Sequence, residues 1–142
     1  AMIVLPQDAE IGRALPVGCR VLVADDNTAN LDLVGAVLRG LGVEVTTAGD
    51  GQSAVEIAAG APFDAILLDL RMLGLDGPAT ASVIRRGGGA NAEVPILAFS
   101  ADVTSPLDTA LFDGLIAKPI DAGALLIALS AAFESEGALG SA

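Results

Sequence analysis

Apolar and polar residues alternate along the chain in a pattern that predicts strands and helices in turn, five times over. Apolar or β-branched runs typical of strands occupy residues 20–24, 43–47, 65–68, 94–99 and 115–117. Helical spacing of apolar residues, or a capping signal, marks residues 29–41, 51–60, 78–86 and 121–133. Such alternation is typical of a parallel sheet covered on both faces. We therefore predict an α/β fold, a doubly wound five-stranded parallel sheet flanked by helices.

The two ends of the chain lack this pattern. Residues 1–18 contain two prolines and two glycines without clean periodicity, and they are interpreted as an N-terminal tail or linker. The domain is expected over residues 19–134, with a C-terminal tail over 135–142. The stretch from Ser100 to Lys118 has little room for a helix, so a shortened fourth helix is expected there, between the fourth and fifth strands.

The composition of the chain excludes several classes of function. The net charge of −11, with seven basic against eighteen acidic residues, argues against nucleic acid and against direct contact with an anionic membrane. The chain has no His, which excludes Cys–His and Ser–His–Asp catalysis, ordinary zinc sites and a phosphohistidine of its own. A single cysteine, Cys19, and the lack of a membrane-length apolar run suggest a cytoplasmic protein.

Polar residues capable of chemistry follow four of the predicted strands. Asp25 and Asp26 follow the first, Asp69 the third, Ser100 the fourth and Lys118 the fifth. Because ligands of open α/β sheets bind at the carboxyl ends of the strands, we expect these side chains to share one cleft. Clustered carboxylates repel one another, and Mg²⁺, which prefers one or two carboxylates together with phosphate oxygens, relieves that repulsion. Asp69, at the end of the expected central strand, is the candidate nucleophile for a phosphoryl group.

These residues resemble the signature of receiver domains in bacterial two-component signalling. The resemblance covers about residues 20–133 and rests on Asp25-Asp26, the loop from Asp69 to Gly77, Ser100-Ala101 and Lys118-Pro119-Ile120. It implies a flavodoxin-like fold in which Asp69 accepts a phosphoryl group from a phosphohistidine. It further implies that Lys118 and Ser100 assist the transfer.

The resemblance also implies a ligand set and partners. Asp26, Asp69 and the backbone carbonyl of Arg71 would bind Mg²⁺ directly, and Asp25 would bind it through water. The phosphodonor would be a histidine kinase or a histidine phosphotransfer protein, and a downstream protein would be the output. The stretch Asp25-Asp26-Asn27-Thr28-Ala29-Asn30 and Lys118-Pro119-Ile120 also resemble the receivers of hybrid sensor histidine kinases, and the tail Ile3-Val4-Leu5-Pro6 resembles the end of a kinase catalytic domain. The domain would then be the C-terminal receiver of a hybrid kinase; the alternative is a single-domain regulator.

The chain departs from the receiver pattern at several positions. Leu73 stands where the family usually has Pro, and Leu115 replaces the aromatic switch residue. Together with the shortened fourth helix, Leu115 predicts an altered signalling face. Arg71 and Asp102 flank the site in the family, and we expect them to pair across its mouth and slow hydrolysis of the phosphate.

Three other functions share parts of this residue pattern. The main alternative is a receiver-like interaction module that binds partners without being phosphorylated. A haloacid-dehalogenase-type phosphatase fits less well, because residues 25–29 do not match its Asp-x-Asp-x-Thr/Val motif. A flavin carrier of similar topology lacks Trp and Tyr for stacking. The domain itself would be a phosphoacceptor, so enzymatic activity depends on whether a kinase belongs to the same parent chain.

Overall fold

The computed structural model of the chain describes residues 18–87, 89–102, 104 and 106–141, with side chains described as far as residue 133. The expected N-terminal tail therefore lies, except for Gly18, outside the described residues. The strands are β1 Arg20–Ala24, β2 Glu44–Ala48, β3 Ala65–Asp69, β4 Ile96–Ser100 and β5 Gly114–Ala117. The helices are α1 Thr28–Arg39, α2 Gly51–Gly60, α3 Gly77–Arg86 and α4 Ala122–Ser141.

All strand pairs are parallel, in the order β2-β1-β3-β4-β5, which confirms the predicted doubly wound sheet. In the register, Ala24 of β1 pairs with Leu68 of β3, and Leu68 pairs in turn with Ala98 of β4. Ser100 of β4 pairs with Ala117 of β5. The polar residues that follow these strands are therefore brought to the same edge, with β3 in the middle as expected.

Polar caps begin the first three helices. The side chains of Asn27, Asp50 and Asp76 accept hydrogen bonds from backbone N–H groups in the first turns of α1, α2 and α3. Asp76 thus marks the start of α3. Pro78 in the first turn of α3 has no N–H to satisfy there, which suits that position.

Buried side chains form two apolar layers, one on each face of the sheet. One layer packs α1 and α4 against the sheet through residues such as Val34, Leu38, Leu125 and Leu129. The other packs α2 and α3 through residues such as Ala54, Ala81 and Ile84. Strands β3 and β4 are buried along their whole length, as expected of central strands covered on both sides.

The connection between β4 and β5 contains no helix in its described part. A single hydrogen-bonded turn is present, in which Leu111 and Phe112 donate to the carbonyl of Asp108. The shortened fourth helix of the sequence prediction is thus reduced to one turn. Phe112 and Leu107 nevertheless fill the space beneath it, because they pack against the second apolar layer.

One prediction about element ends is corrected. The last helix was expected to end at Phe133, with a tail after it, but α4 continues to Ser141. No proline interrupts residues 134–141, and Glu134, Glu136, Ala138 and Leu139 are good helix formers, whereas Gly137 and Gly140 are poor ones. The prediction followed the apolar stripe, which ends at Phe133. The helical backbone continues beyond the stripe, because backbone hydrogen bonds do not require apolar side chains.

Candidate metal and phosphoacceptor site

Three carboxylates converge at the carboxyl ends of β1 and β3. Asp25 and Asp26 follow β1 directly, and Asp69 is the last residue of β3. One carboxylate oxygen from each lies within 4.8 Å of the other two, a spacing that can hold a metal ion. Asp25 and Asp69 are buried, whereas Asp26 is exposed. An acidic pocket with one solvent-facing ligand suits a hard cation that keeps some of its water.

Lys118 provides the positive charge of this cluster. Its Nζ lies 3.0 Å from Oδ1 of Asp69 and 3.4 Å from Oδ2 of Asp25. The backbone N–H of Lys118 donates to the carbonyl of Ser100, which fixes the start of the loop after β5. The peptide bond between Lys118 and Pro119 is cis. The ammonium group therefore bridges the ends of β1 and β3 from the far edge of the sheet.

Burial and charge shift both partners of this ion pair. Burial raises the pKa of Asp69, and the neighbouring Asp25 carboxylate raises it further, although hydrogen bonds from Lys118 and from the backbone of Arg71 oppose the change. Burial alone would lower the pKa of Lys118, but its contacts with Asp69 and Asp25 outweigh that effect and raise the pKa. Lys118 is therefore a cation at neutral pH.

The two oxygens of Asp69 have different surroundings. Oδ1 accepts hydrogen bonds from Lys118 and from the backbone N–H of Arg71, the latter at 3.3 Å. Oδ2 accepts none within the described part of the chain, where every buried side-chain nitrogen or oxygen has a hydrogen-bond partner. Oδ2 is therefore the oxygen through which Asp69 reaches the solvent, and it is the atom available for new chemistry.

Asp25 is held in place by contacts to both of its oxygens. Oδ1 accepts a hydrogen bond of 2.9 Å from the backbone N–H of Asn27, and Oδ2 accepts one of 3.0 Å from the side chain of Asn30. Asp25 is also fully buried. This carboxylate therefore has little freedom to move, and its charge shapes the pocket.

Ser100 lies at the end of β4 with its hydroxyl turned toward its own loop. The hydroxyl donates to the carbonyl of Asp102 at 2.9 Å and accepts from the N–H of the same residue at 3.0 Å. Asp102 in turn accepts two hydrogen bonds from Thr104, and it has a further interaction. The hydroxyl therefore both donates to and accepts from the backbone of Asp102.

Two clefts open beside the cluster. An open cleft of about 310 Å³ is lined by Asp26, Leu70, Arg71, Met72, Leu73 and Asp76. A smaller one of about 90 Å³ is lined by Leu70, Arg71, Ser100, Asp102, Pro106, Leu107 and Leu115. Leu115 thus lines a space next to Ser100, at the position where an aromatic side chain was expected from the resemblance. The pairing of Arg71 with Asp102 and the carbonyl ligand of Arg71 stay predictions.

Two residues shape the site in ways that the sequence analysis did not predict. Asn30 lies in the stretch that resembles hybrid-kinase receivers, but its hydrogen bond to Asp25 from within α1 was not expected. Gly77 lies so close to the end of β3 that a Cβ there would be 2.5 Å from the carbonyl oxygen of Asp69. Only glycine lets α3 begin this close to the end of β3. The Asp-Gly pair was visible, but the close approach depends on tertiary packing.

Comparison with known proteins agrees with this geometry. Residues 21–130 match the model of the response regulator receiver domain. The chain therefore belongs to the receiver-domain family of two-component systems. Within the part that the structure describes, none of the helices has the length and apolar character needed to cross a membrane.

Individual relatives include both kinases and regulators. The chain is 35% identical over 107 residues to the sensor protein GacS of Pseudomonas syringae, covering 71% of this chain and 12% of that protein. It is 35% identical over 106 residues to the transcriptional regulatory protein ZraR of Escherichia coli K12, covering 71% of this chain and 23% of that protein. The chain thus spans a quarter or less of these relatives.

Solved structures of separate receivers match nearly end to end. The receiver domain of sensor histidine kinase PA1611 of Pseudomonas aeruginosa, which was crystallised with magnesium in its active site cleft, has a TM-score of 0.73 and 31% identity. The match covers 83% of this chain and 99% of that one. The chemotaxis protein CheY4 of Vibrio cholerae has a TM-score of 0.75 and 29% identity, over 82% and 99% of the two chains.

Proposed function

We propose that this domain, over residues 19–134, accepts a phosphoryl group on Oδ2 of Asp69. The observation that carries the proposal is the asymmetry of Asp69. Oδ1 is held by Lys118 and by the Arg71 backbone, while Oδ2 has no hydrogen bond and reaches solvent. A carboxylate fixed by one oxygen presents the other as an oriented nucleophile, which favours in-line transfer. The P–N bond of a phosphohistidine breaks as the O–P bond to Asp69 forms.

The acidic cluster fits Mg²⁺. Asp26, Asp69 and the carbonyl of Arg71 would bind the ion directly, with Asp25 acting through water, as the resemblance implies. Support for this assignment comes from the spacing of the three carboxylates and from the exposure of Asp26 to solvent. When bound, Mg²⁺ would neutralise charge on the transferring phosphoryl group. Lys118 would balance the rest, and the Ser100 hydroxyl would rotate to donate to a phosphoryl oxygen.

The parent protein is proposed to be a hybrid sensor histidine kinase in which this domain is the receiver. The kinase relatives and the magnesium-bound receiver of a sensor kinase support this context. The phosphodonor would then be a histidine kinase or a histidine phosphotransfer protein, in the cytoplasm, and the output a protein partner rather than nucleic acid. The net charge of −11 is consistent with that choice.

Intact mass spectrometry tests the phosphoacceptor. The chain is incubated with a small-molecule phosphodonor such as acetyl phosphate, with Mg²⁺ or with a chelator. We expect one phosphoryl adduct that requires Mg²⁺ and is absent from Asp69→Asn. Asp32→Asn is the matched control, because Asp32 is an exposed acid on α1 outside the cluster, and it should keep the adduct.

Each outcome separates the proposal from its alternative. An adduct that survives in Asp69→Asn would place the acceptor elsewhere and contradict the proposal. A folded chain that gains no adduct from acetyl phosphate is next tested with phosphohistidine on a phosphotransfer protein. Failure with both donors would favour an interaction module that works by binding alone.

A further inference from the structure

An apolar pocket of about 410 Å³ lies between the C-terminal halves of α2 and α3. One side of it is lined by Val55, Ala58 and Ala59 of α2, and the other by Val83 and Ile84 of α3. None of the described residues that line it is charged. Both helices end there, before β3 and β4 begin, so the pocket lies at the edge of the sheet opposite the acidic cluster. A cavity of about 150 Å³ is enough to hold benzene, so this pocket has room for more than one aliphatic side chain.

The only polar side chain in the described lining is already bound. Asn91 donates both hydrogens of its amide to the carbonyls of Ala58 and Ala61, and its Oδ1 accepts from the N–H of Phe63. A charged ligand would therefore find no side chain of opposite charge in this lining. Aliphatic groups, in contrast, gain by leaving water for an apolar surface. The pocket thus favours an aliphatic occupant.

The start of β1 lies beside one wall of this pocket. The carbonyl of Arg20 accepts from the N–H of Asp64 at 2.7 Å, and its guanidinium lies 5.3 Å above the ring of Phe63. Pro62, the residue before Phe63, lines the pocket. Gly18 has a φ of 77°, so the chain turns as it enters the strand. The residues that precede Gly18 therefore join the domain next to the wall at Pro62.

Residues 1–17 are the longest run of the chain outside the described residues, and they lead directly into this point. Two aliphatic residues, Leu15 and Val17, stand closest to Gly18 in the sequence. Pro16 disfavours helical backbone at Leu15, and in an extended chain side chains two positions apart share a face. Three residues of extended chain span about 10 Å, so Leu15 can reach a wall that adjoins the start of β1. The other end of the chain is directed elsewhere, because α4 packs on the opposite face of the sheet.

We propose that residues 14–17 occupy this pocket, with Leu15 between α2 and α3 and Val17 against Pro62 at its rim. Arg13, the nearest charged residue before them, would stay at the mouth, where its long side chain lets the guanidinium group reach water. The docked segment would fix where the preceding part of the chain leaves the domain. It would also stabilise the fold, because it removes apolar surface of both partners from water. Docking needs no phosphorylation and is independent of the proposed phosphoacceptor.

Two-dimensional amide NMR spectra of the full, isotope-labelled chain test the docking. Leu15→Ser should shift the amide signals of the lining, such as those of Ala58 and Val83, because it removes the side chain packed against them. Leu5→Ser is the matched control, since Leu5 also precedes a proline but lies ten residues further from β1. It should leave the signals of the lining unchanged. Signals around Asp69 should not move in either variant.

Thermal melts followed by circular dichroism measure the stabilisation. Leu15→Ser is expected to lower the melting temperature of the chain by about 3–8 °C, whereas Leu5→Ser should change it by less than about 1 °C. The same melts show whether each variant is folded, and Leu15→Ala serves as the second variant if Leu15→Ser is not. Docking within one chain does not depend on concentration, so the amide signals should be the same at about 50 μM and at about 500 μM.

Four results would overturn the proposal. Unchanged lining signals or an unchanged melting temperature in Leu15→Ser would leave the pocket to a separate partner. Equal changes in Leu5→Ser would indicate a contact without specificity. Lining signals that shift as the parent chain is diluted would place a second copy in the pocket. Shifts confined to α1 and α4 would show that residues 14–17 cover the other face of the sheet.

Discussion

At the scale of single residues, Asn91 links two loops on the side of the molecule away from the site. Its Oδ1 accepts a hydrogen bond from the N–H of Phe63, and its Nδ2 donates to the carbonyls of Ala58 and Ala61, all at 2.8 Å. Only 3% of Asn91 is exposed, so these backbone groups have little access to water in its absence. One side chain thus completes the C-terminal end of α2.

Replacing Asn91 by Ala is expected to lower the free energy of unfolding by about 2–4 kcal/mol. The physical reason is that three buried backbone groups would lose their partners together, and each such loss costs about 1–3 kcal/mol unless water enters. Urea denaturation followed by circular dichroism measures the change. Glu93→Ala, an exposed substitution in the same loop, should stay within about 0.5 kcal/mol. If Asn91→Ala lowered the free energy of unfolding no more than Glu93→Ala, the three hydrogen bonds of Asn91 would not contribute to stability.

The lowered pKa of Asp50 predicts how the free energy of unfolding changes at acidic pH. The backbone N–H of Ser53 donates to its carboxylate at 2.7 Å, and this hydrogen bond lowers the pKa of Asp50. An acid with a lowered pKa binds fewer protons in the folded state, so its contribution to stability is complete above the ordinary Asp pKa. That contribution disappears as the pH falls through the lower, folded-state pKa.

Asp50→Asn keeps a side chain that can cap α2 but removes the ionisable carboxyl group. The parent chain should therefore be more stable than this variant at neutral pH, and the gap should close on acidification to about pH 3 or below. Urea midpoints at several pH values measure the gap. Asp50→Ala, which removes the cap, should be less stable than the parent chain across the range. A gap that does not change with pH would contradict this assignment.

Site residues could be predicted from the sequence where they directly follow a strand of the parallel sheet. Asp25, Asp69 and Lys118 follow strands that parallel pairing brings to one edge, and apolar runs revealed those strands. Asn91 and Arg85 escaped prediction, because their partners lie in loops distant in sequence. A lone Asn or Arg in a polar loop carries no periodic signal, so only the folded structure shows what it binds.

At the scale of elements, Arg85 stabilises the connection between β4 and β5, whose described residues form no helix. From α3 its guanidinium donates to the carbonyls of Ala92, Val94 and Leu111, and it pairs with Asp113 at 3.1 Å. Asp113 in turn accepts from the N–H of Ile96 at the start of β4. The planar fork of Arg thus joins the segments that enter β4 and β5.

Arg85→Lys should loosen both of these segments. Lysine keeps the charge but cannot reach several carbonyls in fixed directions, so we expect about 1–3 kcal/mol lower stability. Hydrogen exchange should become faster around residues 92–94 and 111–113 before it does in β3. Arg86→Lys is the matched control, because among the described residues the guanidinium of Arg86 donates a hydrogen bond to the carbonyl of Ser82 in its own helix and to no other group. Uniform acceleration over the whole sheet would refute a local role.

The bounds of the strands and helices show which parts of the fold the apolar pattern can predict and which it cannot. Strand positions were predicted within two residues, because each buried strand is a nearly continuous apolar run. The end of α4 was wrong, since the prediction followed its apolar stripe, whereas helical backbone continues wherever propensity permits. The sequence indicated the turn at Asp108 only indirectly, because the stretch from Ser100 to Lys118 is too short for a full helix.

At the scale of the whole molecule, a metal ion bound by the acidic cluster would stabilise the fold. Under the proposed function Mg²⁺ binds the folded domain, and a concentration of 100 times its dissociation constant would stabilise the fold by about 2.7 kcal/mol. Asp26→Ala removes a ligand and also relieves repulsion, so the variant should melt no lower than the parent chain without metal, yet gain less from Mg²⁺. Thermal melts with Mg²⁺ or chelator measure both effects.

Asp32→Ala is the control for this measurement. Its carboxylate lies outside the metal cluster, so the gain from Mg²⁺ should equal that of the parent chain. A similar gain in Asp26→Ala would show that Mg²⁺ acts elsewhere. Because the comparison is between gains, it does not depend on the absolute stability of either variant.

Lys118 has a practical consequence for studying this domain. It is the only lysine of the chain, so apart from the α-amino group it is the only target for amine-directed reagents. Its Nζ lies within the carboxylate cluster. The rate at which an acylating reagent modifies Lys118 itself, read by peptide mapping, thus reports whether the cleft is occupied. The wild-type domain therefore carries its own occupancy probe, and no label needs to be introduced.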